Sequence, residues 1–136
     1  MKKLILLFLL VPSLFFAQQD CRYTYDAEVL SCYDADTCDF NIDVGFGIKI
    51  KRKIRFYGVN TWELRGENKV LGIIARDTVR NLIVGENITL QTLKDRTGKY
   101  GRILGIIYVD IDKDGINDNL NLWLIENNHG VEYLKN

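Results

Sequence analysis

The stretch IKIKRKIRFYGV, at residues 48–59, largely alternates apolar and cationic side chains. Successive side chains of a β-strand point to opposite faces of its sheet, so this alternation indicates a strand. Ile54 and Phe56 are expected on one face, and Lys53 and Arg55 on the other. The pattern therefore predicts a half-buried strand that presents an arginine from its polar side.

Further strands and two helices are predicted on both sides of this stretch. The strands cover Arg22–Ser31, a segment that starts at Thr37, Ile88–Leu93 and Ile103–Val109. One helix is predicted over Glu67–Val84, and a short one around Trp123 starts at a cap on Asn119 or Asn121 and ends near Gly130. The first helix is expected to pack on the core through Leu71, Ile74, Ala75, Thr78 and Leu82. This order predicts a mainly β protein with helices (α+β), a five-stranded OB-fold barrel with two or three helices.

The chain of 136 residues is long enough for one domain with a core, and 47% hydrophobic residues with a single proline indicate a globular protein. Its first segment has a different character. Lys2 and Lys3 precede an apolar run at residues 4–16, and Ala17 then leads into polar residues. This is the pattern of a secretory signal peptide, with an uncleaved amphipathic anchor as the alternative. We expect a signal peptide at 1–17, a domain at 18–136, a secreted or periplasmic location, and no membrane attachment after cleavage.

Charge and cysteine content narrow the class of protein. Loss of residues 1–17 takes away two lysines and leaves 16 basic against 18 acidic residues. Any affinity for phosphate must therefore come from local placement of cations rather than from a basic excess. Cys21, Cys32 and Cys38 permit one disulfide, and a bridge from Cys32 to Cys38 would close a hairpin. Reduced core cysteines are the alternative. Zinc is not expected, because the only histidine is distant from the cysteines.

Three polar segments carry the candidate chemistry. Asp34-Ala-Asp36-Thr lies at a tight turn, where carboxylates either satisfy backbone amides or bind a hard cation such as calcium. The segment from Arg55 to Glu63 brings a cation and a carboxylate toward one edge of the barrel; a surface ion pair is the alternative. Residues 94–102 form a glycine-containing cationic loop that is suited to gripping phosphate, or is an ordinary hairpin.

Taken in order, these segments resemble the staphylococcal nuclease (thermonuclease) family. The resemblance rests on Asp-x-Asp-Thr at 34–37, Arg-(x)4-Asn-Thr-x-Glu at 55–63 and Asp-Arg-Thr-Gly-Lys-Tyr-Gly-Arg at 95–102. It continues into LWLIE at 122–126 and covers about residues 22–134. The family folds as an OB barrel and cleaves DNA and RNA with little sequence preference, leaving 3′-phosphates. The resemblance therefore implies an exported, calcium-dependent endonuclease acting on DNA or RNA, expected to be a monomer.

The resemblance also implies a role for each matching residue. The expected catalytic residues are Arg55 and Arg102, which clamp the scissile phosphate, and Glu63, the general base for the attacking water. The expected calcium ligands are Asp36, Asn60 and the backbone carbonyl of Thr61. The expected contacts to a neighbouring phosphate and sugar are made by Lys99 and Tyr100.

The chain departs from the family pattern at several positions. Asn60 stands where the family generally has a second aspartate, which predicts weaker calcium binding. Trp62 replaces a proline and either loosens the loop or offers a face for base stacking. Outside the pattern, the alternating acids of residues 110–118 are typical of a calcium loop or of a solvated hairpin tip, with Asn121 where an EF-hand has its glutamate. Two other functions are therefore weighed: a catalytically weak OB-fold nucleic-acid-binding module, and a small extracellular calcium-binding domain.

Overall fold

The computed structural model describes residues 22–97 and 102–133, with side chains at 94–97 left undescribed. The predicted signal peptide, Cys21, Lys99 and Tyr100 lie outside the described residues. The strands are β1 (Arg22–Asp34), β2 (Thr37–Asp43), β3 (Lys49–Phe56), β4 (Gly58–Thr61), β5 (Asn87–Thr97), β6 (Ile103–Val109), β7 (Asp118–Asn119) and β8 (Gly130–Tyr133). The helices are α1 (Lys69–Ile83), which follows a 3-10 turn at Gly66–Asn68, and α2 (Leu120–Glu126).

Five of these strands close into a barrel. The main sheet has the order β3-β2-β1-β5-β6-β7, and a further pairing of β3 with β6 joins its two sides. That closing contact is parallel and matches Arg55 with Leu104, whereas the other pairings are antiparallel. Strands β4 and β8 form a separate two-stranded sheet. A closed five-stranded barrel with two helices confirms the predicted OB-fold, and the predicted strands merge or extend into the observed ones.

The core lies inside the barrel and under α1. Its largest fully buried side chains include Phe40, Phe56, Leu90 and Ile107. The helix meets this core through Gly72, Ala75, Val79 and Ile83. The predicted stripe is confirmed at Ala75, which is buried, and at Leu82, which packs against the core. It is wrong at Leu71 and Ile74, which are exposed, because the buried face lies about one position further along the helix. Within the described ranges, none of the helices has the length and apolar character needed to cross a membrane.

The turn between β1 and β2 is cross-linked. Cys32 lies opposite Cys38 in the antiparallel register, and the two sulfurs form a disulfide across the turn. Both cysteines are buried in the core cluster. The structure thus has the bridged form of these two cysteines, and the bridge brackets the residues that carry Asp34 and Asp36.

Asn121 joins α2 to the barrel. Its side chain is 3% exposed. Its Nδ2 donates to the carbonyls of Tyr57 and Gly105, both at 2.9 Å, and its Oδ1 accepts from the amide of Ile107 at 3.1 Å. One amide side chain therefore satisfies three backbone groups, where β3 and β6 run side by side.

Asn121→Ala is expected to lower the free energy of unfolding by about 2 kcal/mol or more, because it removes the Asn121 partner of the Tyr57 carbonyl and of the Ile107 amide. The carbonyl of Gly105 loses one hydrogen bond but still accepts from the amide of Tyr57. Leu122→Ala, at an exposed position of the same helix, is the control and is expected to cost less than about 1 kcal/mol. Urea denaturation of both variants measures the difference. Similar small losses in the two variants would show that Asn121 does not anchor the helix.

Candidate functional site

The site begins at Asp36, a residue that is 4% exposed. Its Oδ2 accepts from the backbone amide and the hydroxyl of Thr61, both at 2.8 Å. The same oxygen lies 3.2 Å from a terminal nitrogen of Arg55. Its Oδ1 accepts from the Thr37 hydroxyl at 3.2 Å, and its backbone carbonyl accepts from the amide of Phe56. The turn is therefore held against both β3 and β4 by one residue.

The guanidinium of Arg55, the partner of Asp36, also binds backbone and side-chain oxygens of the segment that follows β3. Only 9% of Arg55 is exposed. One terminal nitrogen donates to the carbonyls of Phe56 and Val59, at 2.9 and 2.8 Å. The other donates to Oδ1 of Asn60 at 3.2 Å and pairs with Asp36. The arginine thus wraps the chain from β3 into β4 around its own side chain.

The Asp36–Arg55 pair is costly to break from either side. Charges this deeply buried are tolerated only when they are paired and their remaining hydrogen-bonding groups are satisfied. Here, within the part of the chain that the structure describes, no buried side-chain nitrogen or oxygen lacks a partner. Removal of one partner would leave the other charge uncompensated, at a cost of about 3–5 kcal/mol.

Glu63 follows this anchored segment and is exposed. Among the described residues, no hydrogen bond or ion pair involves its carboxylate. Its backbone, in contrast, is tightly confined. A Cβ built on Gly72 of α1 would overlap the carbonyl of Glu63 and would lie 2.8 Å from that of Trp62. Only glycine permits this close approach, so the helix fixes the backbone while the carboxylate projects into solvent.

Trp62 ties the same loop to the segment between α2 and β8. Its indole nitrogen donates to the carbonyl of Asn128 at 2.7 Å, and its amide donates to the carbonyl of His129 at 3.3 Å. The His129 ring stacks on Trp123 at 5.6 Å, and partial burial lowers its pKa. Trp62, the residue before Glu63, is therefore held through both its side chain and its backbone.

The register of β3 and β6 brings Arg102 to the same end of the barrel. Ile54 lies opposite Ile103 and Arg55 opposite Leu104. Arg102 immediately precedes β6, which places its Cα about 8 Å from that of Arg55 by ordinary strand spacing. The two predicted phosphate-binding arginines are thus neighbours across the parallel pair. Lys99 and Tyr100 remain predictions, since they lie outside the described residues.

Oxygen ligands for a cation gather at the same turn. Asp34 accepts from the amide of Asp36 at 3.2 Å. The pKa of Asp34 is raised to about 6, because burial removes water from its carboxyl and because Asp36 lies beside it. The turn therefore holds more negative charge than Arg55 alone relieves. Carboxylate oxygens and the amide oxygen of Asn60 are hard donors of the kind that calcium prefers, so the donor types present fit a cation. In this structure Asp36 Oδ2 and Asn60 Oδ1 face Arg55, with which a cation would compete.

A second acidic group lies in the loop before β7. Carboxylate oxygens of Asp110, Asp112 and Asp118 lie within 4.8 Å of one another, so this group can hold a metal ion. Asp110 and Asp112 also accept from the amide of Asp114, so these carboxylates shape the loop itself. Asn121, at the position of an EF-hand glutamate, is buried and bonded to the barrel instead. It is therefore no ligand of this loop.

The structure is an OB barrel whose parallel contact of β3 and β6 brings Arg55 and Arg102 close together, with the exposed carboxylate of Glu63 following β4. The family model described as staphylococcal nuclease homologue matches residues 53–133, more than half of the chain. The chain belongs to that family. The match includes Arg55, Asn60, Glu63 and Arg102, while Asp36 lies before it. The search of curated proteins gave no match.

Asp34→Asn is expected to stabilise the protein at about pH 8 but not at about pH 4. With a folded-state pKa near 6 against an ordinary value of 3.8, the folded carboxyl keeps a proton that the unfolded chain has lost. Stability therefore falls as pH rises between these values, and the loss persists above pH 6. After allowance for partial exposure, the gain from Asp34→Asn at the higher pH is about 1 kcal/mol.

Urea denaturation at the two pH values measures this gain. Asp43→Asn is the control, because exposed Asp43 accepts from the amide of Gly45, the same i+2 contact that Asp34 makes with Asp36. Equal effects of Asp34→Asn at both pH values would contradict the assignment of the raised pKa to Asp34.

Proposed function

We propose that this protein is a metal-dependent nuclease that hydrolyses phosphodiester bonds of DNA or RNA with little sequence preference and leaves 3′-phosphates. One observation carries the proposal: a buried arginine fixes the segment that leads to an exposed carboxylate. Arg55 donates to the backbone carbonyl of Val59 and to the side-chain oxygen of Asn60. Asp36 accepts from the backbone amide of Thr61, two residues before Glu63. Membership of the nuclease homologue family supports the same conclusion.

Arg55, Arg102 and Glu63 have different roles in the proposed hydrolysis. The phosphorus of a phosphodiester is attacked in line by water, and negative charge grows on its equatorial oxygens. The positive charges of Arg55 and Arg102 would stabilise the charge that develops on those oxygens. Glu63 accepts the proton that water loses as the new P–O bond forms. The 5′ oxygen leaves and takes up a proton, and the phosphate remains on the 3′ side.

A cation is proposed to complete the site, held by Asp36, Asn60 and the backbone carbonyl of Thr61, with Asp34 nearby. When bound, Ca²⁺ supplies positive charge beside the phosphate and thereby stabilises the transition state. Asn60 contributes an amide oxygen without the charge of a carboxylate, and it already accepts from Arg55. Weak calcium affinity, in the range of extracellular sites, is therefore expected.

The wider setting belongs to the same proposal. A signal peptide at residues 1–17 would deliver the domain outside the cell or to the periplasm, where the Cys32–Cys38 disulfide would persist. The domain would then act as a monomer without membrane attachment. Phosphate contacts that do not read the bases would explain cleavage with little sequence preference.

A catalytically weak binding module is the second candidate, and one observation favours it. Both terminal nitrogens of Arg55 already have protein partners, and Asn60 replaces a charged ligand. A site that has exchanged its metal for internal hydrogen bonds would still bind phosphate. The exposed carboxylate of Glu63 supports the enzyme instead, because a negative group beside phosphate weakens simple binding.

Glu63→Gln is expected to lower kcat on single-stranded DNA by about 100-fold or more, because the amide cannot accept the proton of the attacking water. Glu67→Gln is the matched control, since Glu67 is exposed in the adjacent 3-10 turn. Activity of the wild-type chain is measured with calcium and then with chelator. Cleavage that survives in Glu63→Gln would exclude this base, and binding without any cleavage would favour the binding module.

A further inference from the structure

A row of cations leads along β3 to the site. Lys49, Lys51 and Lys53 occupy alternate positions of the strand and are exposed, and Arg55 continues the row into the buried site. Alternate residues of a strand lie on one face about 7 Å apart. The lysines therefore form a line of evenly spaced positive charges that ends at the phosphate-binding arginine.

The charge is concentrated in this hairpin. Residues 37–55 carry five cationic side chains and two carboxylates, whereas the whole chain is neutral. The two acids of β2 lie opposite the outer lysines, Asp39 against Lys53 and Asp43 against Lys49, and Lys51 faces an uncharged residue. Among the described residues, the ion pairs are Arg55–Asp36 and Arg76–Asp77, so none of these lysines is closely paired.

The tip of the hairpin presents an apolar cluster. Phe46 is 100% exposed, and Val44 and Ile48 beside it are also exposed. The tip is a defined turn rather than a loose loop, because the amide of Val44 donates to the carbonyl of Ile48 at 3.0 Å and the amide of Ile48 donates to that of Gly45 at 2.9 Å. Apolar side chains held outward in this way point to a binding function.

Phe46 has no role in folding that would explain its place. Its φ of 57° lies in the left-handed region, between two glycines that also have positive φ. A bulky side chain is strained there, and glycine or asparagine would be tolerated more easily. The ring gains nothing from burial, since it is wholly exposed. A strained, exposed aromatic residue is typical of a ligand contact.

We propose that the cationic hairpin, residues 37–56, is an extended binding arm for single-stranded nucleic acid. The lysine row contacts successive phosphates of the strand that leaves the site at Arg55, and Phe46 stacks on a base beyond the row. Non-specific binding of single strands combines a positive track for the backbone with aromatic platforms for the bases. The arm also lies on the second and third barrel strands, the face by which OB-folds bind oligonucleotides.

An anionic membrane is the other class of partner that fits apolar and basic residues together. Insertion of such a tip reaches about 5–10 Å into the headgroup layer and needs its cations beside it. Lys53 lies about 20 Å from Phe46 along the strand, and the row runs toward the catalytic site rather than around the tip. Continuity with the site therefore favours nucleic acid. This inference rests on the proposed function for the identity of the bound polymer.

The test measures binding by fluorescence anisotropy in the Glu63→Gln background with chelator present, so that turnover does not interfere. The probes are labelled oligothymidylates of about 20 and about 3 nucleotides. Phe46→Ser is expected to raise Kd for the long probe about tenfold and to leave the short probe unchanged. Replacement of Lys49, Lys51 and Lys53 by Gln is expected to reduce the salt slope of log Kd for the long probe by about 2.

Matched controls lie on α1. Val70→Ser changes an exposed apolar residue, and Lys69→Gln changes an exposed cation, both outside the hairpin. Neither is expected to alter the affinity for either probe. Thermal unfolding confirms that each hairpin variant is folded before its Kd is compared.

Equal Kd values for the long probe with and without the hairpin substitutions would overturn the proposal that the hairpin binds single-stranded nucleic acid. If the protein still cleaves DNA in that case, the proposed nuclease function stands alone. A parallel sedimentation assay uses vesicles of phosphatidylcholine and phosphatidylglycerol. Loss of vesicle binding in Phe46→Ser, with an unchanged Kd for DNA, would also overturn the arm and assign the tip to a membrane.

Discussion

The buried ion pair between Asp36 and Arg55 connects segments that the chain brings together from three places. Asp36 belongs to the turn after β1 and Arg55 to β3; Thr61, which donates to Asp36, and Asn60, which accepts from Arg55, belong to β4. Besides the opposite charge, the guanidinium satisfies two backbone carbonyls and the carboxylate satisfies one backbone amide. Both charges are nearly excluded from water. Loss of either side chain alone would therefore leave an uncompensated buried charge and strongly destabilise the fold.

The ion pair also restricts the backbone of the segment that leads to Glu63. Thr61 is held at two atoms by Asp36, and only one residue, Trp62, separates it from Glu63. Gly72 confines the backbone of Glu63 from one side, and the hydrogen bonds of Trp62 confine the preceding residue from the other. The carboxylate itself remains exposed. The result is an exposed carboxylate on a confined backbone, while the placement of Arg55 and Arg102 follows from the parallel contact of β3 and β6.

Much of this could be predicted because it depends on local pattern. Alternation around Arg55 identified β3. The segment from Arg55 to Glu63 was predicted as part of the site from its resemblance to a family motif, and its role stays a prediction. What failed or stayed open depends on tertiary contact. Periodicity could not choose between neighbouring faces of α1, because the deciding fact is the close approach at Gly72. Asn121 appeared as a cap or a calcium ligand, since its three backbone partners come from distant strands.

The raised pKa of Asp34 could not be predicted either, because it depends on burial and the sequence of the turn predicts a solvent-exposed carboxyl. The same limit applies to the cationic hairpin. The lysines are visible in the sequence, but their direction toward Arg55 and the full exposure of Phe46 become apparent only in the folded chain. The environment of Asp34, the lysines and Phe46 thus depends on long-range packing, which the sequence pattern does not reveal.

A double-mutant cycle between Asp36→Asn and Arg55→Met tests the central role of the ion pair most directly. Each single substitution is expected to cost about 3–5 kcal/mol of unfolding free energy, because it leaves a buried charge without its partner. The double substitution removes both charges, so its cost should fall short of the sum by at least about 1.5 kcal/mol. Costs that add to within about 0.5 kcal/mol would show that the two side chains act independently and would contradict this account.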